Sequence, residues 1–442
     1  MARNIWNVRH LPRHGWMPVV LAPRHGDGQT DPATMELIPP ELIVRRTSWL
    51  EPRRLHPIAT ALRRMQHRFS KGAQFLGLST GRSGPTPALP SSSAADRDGA
   101  TGRPSRLLRL QQLVFFPDNQ VGWLPYALAA AIREYRTKRF DVVYSTSPPI
   151  TAHLIALCIR RLLPVRWVAE FRDPWVGNAV TEAATPDRPW VHRRLQAWVE
   201  RAIVSTADRL VYVSASTTET YRRRYPKAAD MVTVTSGYER SEAATPSTDR
   251  GSAGRYRIVY TGTLDRPAEL EIFLTGLEAL MDRRSDLKDR LEVAFFGSVS
   301  EECRTVADRF ARDGLEDVVR LFDFVPRRMA LQAVADADAA LVLLGSGPGM
   351  DLFIPGKLYD YIGQNSQILA MLPRGAARSV LERLDWGVVC DPDPGDVEHS
   401  IERLLTTHPP VAQADPEGLY DRATLARRLA ELFDDVLPAE GR

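Results

Sequence analysis

The sequence is short of cysteine and of long apolar runs, and each shortage excludes a class of protein. Its three cysteines, Cys158, Cys303 and Cys390, are far apart and odd in number, which excludes a cysteine metal cluster and a disulfide framework. No run approaches the roughly 18 consecutive apolar residues that span a bilayer, and no signal-peptide pattern opens the chain. We therefore expect a protein of a reducing compartment, cytoplasmic or peripheral at the inner face of the plasma membrane.

Lysine is also scarce, so the positive charge comes almost wholly from arginine. Lysine occurs only at positions 71, 138, 227, 288 and 357, and the net charge is +4. This charge is spread along the chain, whereas nucleic-acid-binding proteins usually concentrate it on one face among aromatic residues. We therefore expect no nucleic-acid partner, and contact with an anionic membrane stays open.

The length of 442 residues exceeds what one core usually supports, and an apolar fraction of 44% is that of a globular protein. Residues 79–106 are rich in Gly, Pro, Ser and charge without periodicity, which predicts a disordered insertion. Residues 241–254 are similarly small and polar, and we interpret them as a linker. The predicted units are an N-terminal domain (1–240), a C-terminal domain (255–425) and a tail (426–442).

Both halves repeat short apolar runs that end in Gly, Ser or charged residues and alternate with helical stretches. In the C-terminal half these runs cover residues 257–263, 291–298, 319–325, 339–345, 366–372 and 387–391, and in the N-terminal half residues 19–22, 141–147, 166–173, 209–214 and 231–237. Such alternation predicts an α/β protein with two doubly wound parallel sheets. Ligands in this architecture bind at the carboxyl ends of the strands.

The most informative segment is IPGKLYDYI at residues 354–362, which follows a glycine-rich turn. A helix that opens with Pro355 and Gly356 directs its first amides at an anion such as a diphosphate, and Lys357 adds a cation. Asp360, one turn later, is placed to accept hydrogen bonds from ribose hydroxyls. The alternative is an ordinary capped helix.

Three polar residues of the N-terminal half are expected at one strand-end crevice. His153 opens the helix after the run at 141–147, and Arg172 and Asp173 end the next run. Charge at the end of an apolar strand usually faces a cleft. The alternatives are a structural histidine and a structural ion pair.

The order of several motifs resembles the glycosyltransferase family 4-like proteins of bacterial exopolysaccharide and cell-envelope assembly. The motifs are DVVYSTSPP (141–149), WVAEFRDPW (167–175), ADRLVYVSAS (207–216), SGY (236–238), IVYTGTL (258–264) and IPGKLYDY (354–361). The resemblance implies a GT-B fold, in which two Rossmann-like domains face each other across a cleft. It also implies a nucleotide-sugar donor bound by the C-terminal domain, a glycan or polyprenyl-linked acceptor bound by the N-terminal domain, and retaining transfer without a metal or other cofactor.

Carried across residue by residue, the resemblance places Thr261, Gly262 and Thr263 where backbone approaches the diphosphate, with Arg266 as the nearest cation. The family's following lysine is absent, and we expect Lys357 to supply that charge. The backbone amides at the start of the helix that opens with Pro355 and Gly356, including the amide of Leu358, are expected at the same site.

Val325, in the turn FVP at 324–326, is expected at the nucleobase, with a simple strand end as the alternative. The family's paired acidic residues are only half present. Asp360 fits the second position, and Leu352 falls at the first, beside Asp351.

The chain also departs from the family at its beginning. It starts in what resembles the helix after the family's first strand and glycine-rich loop. Either translation starts upstream of Met1, or the protein lacks a central strand and its loop. Basic and aromatic residues at 106–109 and 115–123 predict membrane contact, with an amphipathic core helix as the alternative.

No Ser/His/Asp or Cys/His triad can be placed, and the glycine-rich stretch at 345–349 is not a P-loop. The leading hypothesis is sugar transfer from a nucleotide-sugar. The alternatives are a nucleotide-sugar epimerase and a non-catalytic scaffold that binds nucleotide-sugar.

Overall fold

The computed structural model describes residues 2–24, 37–50, 116–177, 190–247, 254–406 and 413–438. The predicted insertion at 79–106 and the predicted membrane segment at 106–109 lie outside these ranges. In the described part of the chain, no helix has the length and apolar character to cross a membrane.

The described N-terminal half alternates strands and helices. The strands are β1 (Val19–Pro23), β2 (Ile43–Thr47), β3 (Val142–Ser147), β4 (Arg166–Phe171), β5 (Arg209–Tyr212) and β6 (Met231–Thr233). The helices are α1 (Ala2–His10), α2 (Leu124–Lys138), α3 (Thr151–Leu162), α4 (Trp190–Thr206) and α5 (Ala215–Arg224).

The C-terminal half continues the alternation. Its strands are β7 (Tyr256–Thr261), β8 (Leu291–Phe296), β9 (Val319–Phe322), β10 (Ala339–Leu343), β11 (Ile368–Met371) and β12 (Val388–Cys390). Its helices are α6 (Pro267–Arg283), α7 (Glu301–Phe310), α8 (Arg327–Ala335), α9 (Gly356–Gly363), α10 (Ala376–Leu384), α11 (Pro394–Thr406) and α12 (Arg422–Val436).

The C-terminal strands form one parallel sheet in the order β12-β11-β10-β7-β8-β9. Successive residues of β8 point to opposite faces, so Val293 and Phe295 enter one buried cluster and Ala294 enters another. Helices therefore cover both faces, as predicted for a doubly wound sheet. The strand order reverses between β10 and β7, which is the type of position where such sheets bind ligands.

The N-terminal strands are all parallel as well, but they form two sheets. β3, β4, β5 and β6 pair in that order, and β1 pairs with β2. Within the described residues no strand joins β1 to β3. Helix α1 covers residues 2–10, and the absence of a central strand from the first sheet stays a prediction.

Helix α12 corrects the predicted boundary at residue 425. Leu425, Leu429 and Phe433 lie on one face of this single helix and pack against Val168 and Val211 of the N-terminal sheet. The apolar spacing of three to four residues makes a continuous amphipathic helix, so it does not break at 425. The chain therefore returns to the N-terminal half at its end.

The described part of the predicted linker lies along the C-terminal half. The Ala244 amide donates to Oε1 of Gln364 (2.9 Å), and the Ser247 amide donates to Asp336 (2.6 Å). These bonds attach residues 241–247 to helices α8 and α9. The function of 241–254 as a linker stays a prediction.

Candidate functional site

Two adjoining cavities lie where the carboxyl ends of the two large sheets meet. One has a volume of about 280 Å³ and is lined by Arg172, Asp173 and Pro174 from the N-terminal half and by Leu352, Phe353 and Gly356 from the C-terminal half. The other, of about 240 Å³, is lined by Arg3, Arg327, Asp360 and Arg422, among others. Both are also lined by Ser236, Gly356 and Tyr359, so together they form one cleft, called here the interdomain cleft.

Arg172 and Asp173 lie in this cleft, where the sequence places them. The Arg172 guanidinium donates to the carbonyl oxygens of Ser147 (3.3 Å) and Pro148 (2.6 Å), which fixes it on the loop after β3. Asp173 is exposed to the cleft, whose walls partly desolvate it, and this burial raises the pKa of its carboxyl. A carboxylate with a raised pKa at a cleft is placed to accept a proton from a bound hydroxyl group.

His153 is the exception among the predicted catalytic residues. Its side chain is fully buried, with Nδ1 2.8 Å from Oγ of Ser145 and its ring 4.5 Å from that of Phe171. Burial lowers the pKa of His153 to about 3, so the imidazole is neutral at physiological pH. The ring does not line the interdomain cleft, so the predicted position of His153 at the crevice is wrong. Its contacts fit the alternative, a structural histidine.

The predicted diphosphate residues of β7 and α9 do lie together. Nζ of Lys357 lies 3.5 Å from the centroid of the Tyr260 ring, and a Cβ on Gly262 would lie 3.5 Å from the same nitrogen. Gly262 has φ 109°, a backbone conformation that favours glycine. Hydroxyl groups hold the turn and the helix together, because the Thr261 amide donates to the Tyr361 hydroxyl (2.9 Å) and the Tyr260 hydroxyl donates to the Thr263 carbonyl (2.7 Å).

Lys357 is a half-buried cation whose ammonium is strongly desolvated. Burial lowers the pKa of this ammonium to about 7; the charge of the nearby Asp265 carboxylate opposes the shift, and that of Arg266 adds to it. In the described part of the chain no carboxylate lies within ion-pair distance of Nζ; its close neighbour is the Tyr260 ring, a weak cation partner. Nη1 of Arg266 lies 3.4 Å from Oε1 of Glu269, so this second predicted cation is partly neutralised.

The opening of helix α9 differs in detail from the prediction. Pro355 occupies the N-cap, one position earlier than expected, and Gly356 starts the helix with open space at its Cα. Leu358 has a fully buried side chain, and its amide donates to the Pro355 carbonyl (3.0 Å). Leu358 therefore supports the helix from the core, and Gly356 and Tyr359 are the residues of this turn that line the cleft.

Asp360 faces the cleft but is already paired. Arg327 binds it through both carboxylate oxygens (2.8 and 2.9 Å) and also contacts Glu242 (2.9 Å). The sequence did not identify Arg327, although it follows directly on the predicted nucleobase turn. Val325 of that turn is half-buried, and it does not line either cavity. Of the two residues at the first acidic position, Leu352 lines the cleft and Asp351 does not.

A further ion pair lies at the wall of the cleft, which Arg3 lines, and was also missed. Arg3 of α1 donates to Oε1 of Glu170 (2.6 and 2.9 Å) and to the carbonyl oxygen of Val234 (2.9 Å). Glu170 is fully buried, and burial alone would raise its pKa; the interaction with Arg3 outweighs burial and holds the pKa below its ordinary value. No local pattern marks this pair, because its members are far apart in the sequence.

One residue of the predicted membrane segment is buried. Trp123 packs against Ala127 and Ile159, and its indole N–H donates to Oγ1 of Thr47 (2.7 Å). Trp123 and the inner face of α2 therefore belong to the core, as in the alternative of an amphipathic core helix, and membrane contact of this segment stays a prediction.

Comparison with known proteins agrees with this architecture. Residues 86–242 match the family model Glycosyltransferase Family 4. A sucrose-phosphate synthase from Thermosynechococcus elongatus matches in structure with a TM-score of 0.54 at 15% identity, over 72% of this chain and 78% of the other. The HepE protein of Anabaena, in complex with UDP and glucose, matches with a TM-score of 0.52 at 13% identity, over 70% and 81% of the two chains.

A third match is a UDP-forming α,α-trehalose-phosphate synthase from Burkholderia xenovorans, in complex with glucose-6-phosphate. Its TM-score is 0.50 at 11% identity, over 72% of this chain and 77% of the other. A search of curated protein sequences finds no significant match. At these identities the structural matches establish the fold.

Proposed function

We propose that this chain, which matches Glycosyltransferase Family 4 over residues 86–242 and has the GT-B fold, transfers a sugar, with retention of configuration and without a metal, from a nucleotide-sugar to a glycan or polyprenyl-linked acceptor. The proposed setting is surface polysaccharide assembly at the cytoplasmic side of the membrane. The donor, the acceptor and the stereochemistry of the transfer are all part of this proposal.

The observation that carries the proposal is the cluster around Lys357. A half-buried ammonium, with no carboxylate at ion-pair distance among the described residues, lies beside a glycine turn at a strand end and on the first turn of a helix. These groups suit a diphosphate, because backbone amides and a cation stabilise negative charge together. A bound diphosphate would also raise the pKa of Lys357 and keep it protonated.

The proposed reaction breaks the bond between the sugar's anomeric carbon and the diphosphate oxygen, which leaves with the bonding electrons. The acceptor hydroxyl oxygen forms the new bond on the same face of the sugar. Its proton passes to the departing phosphate oxygen, as retention allows. Lys357 and the Gly356 amide stabilise the charge that develops on the leaving diphosphate, which is the largest single contribution expected in such a site.

Arg172 and Asp173 complete the site from the N-terminal half. Arg172 is held by two carbonyl oxygens, so its position is set before a ligand binds. We assign Asp173 to hydrogen bonds with hydroxyl groups of the acceptor or of the transferred sugar. Asp360 is assigned to the ribose, with Arg327 fixing the orientation of its carboxylate.

One observation favours a second candidate, a scaffold that binds nucleotide-sugar without turning it over. Leu352 stands at the first acidic position and cannot accept a hydrogen bond from the sugar. Asp360 is engaged by the guanidinium of Arg327. A non-catalytic chain would retain the Lys357 cluster and bind donor, but would not consume it.

The first test is thermal unfolding of the full chain with a panel of UDP-, GDP-, ADP- and dTDP-sugars. A ligand at about a hundred times its dissociation constant adds about 2.7 kcal/mol, enough to raise the melting temperature measurably. A shift with one nucleotide supports donor binding and names the base. No shift with any donor contradicts both candidates.

Turnover then separates the two candidates. The donor that binds is incubated with membrane extracts containing lipid-linked glycans, and release of the nucleoside diphosphate is measured. Release that needs acceptor supports transfer, and binding without release supports the scaffold. A changed nucleotide-sugar formed without acceptor would indicate an epimerase.

A further inference from the structure

The outer face of helix α4 combines exposed tryptophan with arginine. Trp190 is 62% exposed and Trp198 is 66% exposed, and the exposed residues between and beside them include Val191 and Arg194. Positions 190, 194 and 198 are spaced by four, so these three side chains lie in one row along the helix. The Arg194 guanidinium lies over the Trp190 ring, 5.4 Å from its centroid.

The charge of this face has one sign. Arg193, Arg194 and Arg201 are exposed, and the single acidic residue of α4, Glu200, is fully buried. The face therefore presents guanidinium groups beside large amphipathic rings, and α4 itself adds no exposed carboxylate to it. Tryptophan and arginine together suit the boundary between lipid headgroups and acyl chains, where the ring takes the apolar side and the cation meets phosphate.

The inner face of the same helix holds the loop that lines the interdomain cleft. Gln196 donates to the Trp175 carbonyl (3.0 Å), and Oε2 of Glu200 accepts from the Val176 amide (2.9 Å). Pro174 and Gly177 of this loop line the cleft with Arg172 and Asp173. A membrane bound to the outer face of α4 would therefore be separated from the proposed acceptor side of the interdomain cleft by the thickness of one helix.

We propose that the outer face of α4 docks the protein on an anionic lipid bilayer, with Trp190 and Trp198 inserted at the headgroup level and Arg193, Arg194 and Arg201 bound to lipid phosphates. Charge complementarity selects this occupant, since an anionic bilayer offers phosphate at high density to a helix face on which α4 exposes three arginines and no carboxylate. The proposal adds a membrane-binding surface to the proposed function, and its test does not depend on sugar transfer.

The test is co-sedimentation of the full chain with vesicles of phosphatidylcholine and phosphatidylglycerol, and with vesicles of phosphatidylcholine alone. Wild type is expected to bind the anionic vesicles and to dissociate as salt is raised. The Arg193→Gln/Arg194→Gln/Arg201→Gln variant should lose binding by on the order of a hundredfold, since each arginine near such a surface contributes about fivefold. The Trp190→Ser/Trp198→Ser variant should lose at least about tenfold.

A matched control removes the same charge from another helix of the same half. Arg133, Arg136 and Lys138 are exposed on α2, and replacing all three with Gln should leave vesicle binding within about twofold of wild type. Melting temperatures confirm that each variant folds.

Three results would overturn the proposal. Wild type that ignores anionic vesicles excludes the bilayer as occupant. Equal losses in the α2 and α4 charge variants would show that binding follows net charge alone. A wild-type dimer that dissociates in the Trp190→Ser/Trp198→Ser variant would assign the face to a second copy of the chain.

Discussion

Two buried cations near the interdomain cleft, Arg3 in the N-terminal half and Lys357 in the C-terminal half, are held in opposite ways. Arg3 has a buried carboxylate and backbone carbonyl groups around it. Lys357 has an aromatic ring and, within the described residues, no carboxylate at ion-pair distance. A satisfied buried cation holds a fold together, whereas an unsatisfied one costs stability unless a ligand completes it. We therefore interpret Arg3 as structural and Lys357 as the donor-binding residue.

The largest expected effect is loss of the Arg3 pair. Arg3→Met leaves Glu170 buried without its partner, so the free energy of unfolding should fall by about 3–5 kcal/mol. Urea unfolding measures the change. Arg427→Met, which removes an exposed partner of Glu431, is the control and should change stability by less than about 1 kcal/mol. Equal effects of the two substitutions would remove the contrast on which the comparison rests.

The second effect concerns the donor. Lys357→Met keeps the length of the side chain but removes the cation, so affinity for the nucleotide-sugar should fall by about 1.5–3 kcal/mol, roughly tenfold to 150-fold. Titration calorimetry measures this affinity, with the nucleotide-sugar that raises the melting temperature in the panel. Lys227→Met, at an exposed lysine of the N-terminal half, should leave affinity unchanged. Unaltered affinity in the Lys357 variant would contradict the assignment.

The pH dependence of stability sharpens the comparison further. The pKa of Lys357 is about 7 in the folded protein and near its ordinary value when unfolded, so between these values the unfolded chain binds the extra proton. Stability of wild type relative to Lys357→Met should therefore rise as pH increases above 7, with a slope of at most about 1.4 kcal/mol per pH unit. Unfolding by urea at several pH values tests this, and a pH-independent difference would show that Lys357 stays charged.

The smallest effect is expected at Arg327. Its contacts with Asp360 and Glu242 are partly exposed, so Arg327→Gln should lower stability by less than about 1 kcal/mol. If Arg327 orients Asp360 for the ribose, the substitution should weaken the free energy of donor binding by more than it lowers the free energy of unfolding. The matching Arg378→Gln variant breaks the partly exposed pair with Asp391, away from the cleft, and should leave donor affinity alone.

The features that could be predicted from the sequence are those with a local pattern. Apolar runs that end in small or charged residues predicted the parallel sheets. The glycine turn at 262 and the first turn of α9 could be brought together because both suit one anion.

The features that were missed depend on residues distant in the sequence. Arg3 and Glu170 are 167 positions apart, and Arg327 and Asp360 are 33 apart, so no periodicity links them. The burial of His153 was also hidden, since a histidine early in a helix can face a cleft or the core. Its outcome depends on Ser145 and Phe171, which pack against it only in the folded sheet.

The return of α12 to the N-terminal half has a consequence for how the protein is made. Val168 and Val211 of the N-terminal sheet are covered by Leu425 and Leu429, which are translated some 200 residues later. At about 5–20 residues per second, some 200 residues of synthesis take about 10–40 s, during which one face of that sheet has no partner. The core of the N-terminal half, although translated first, is therefore completed only after the C-terminal half has been made, when α12 packs onto the sheet.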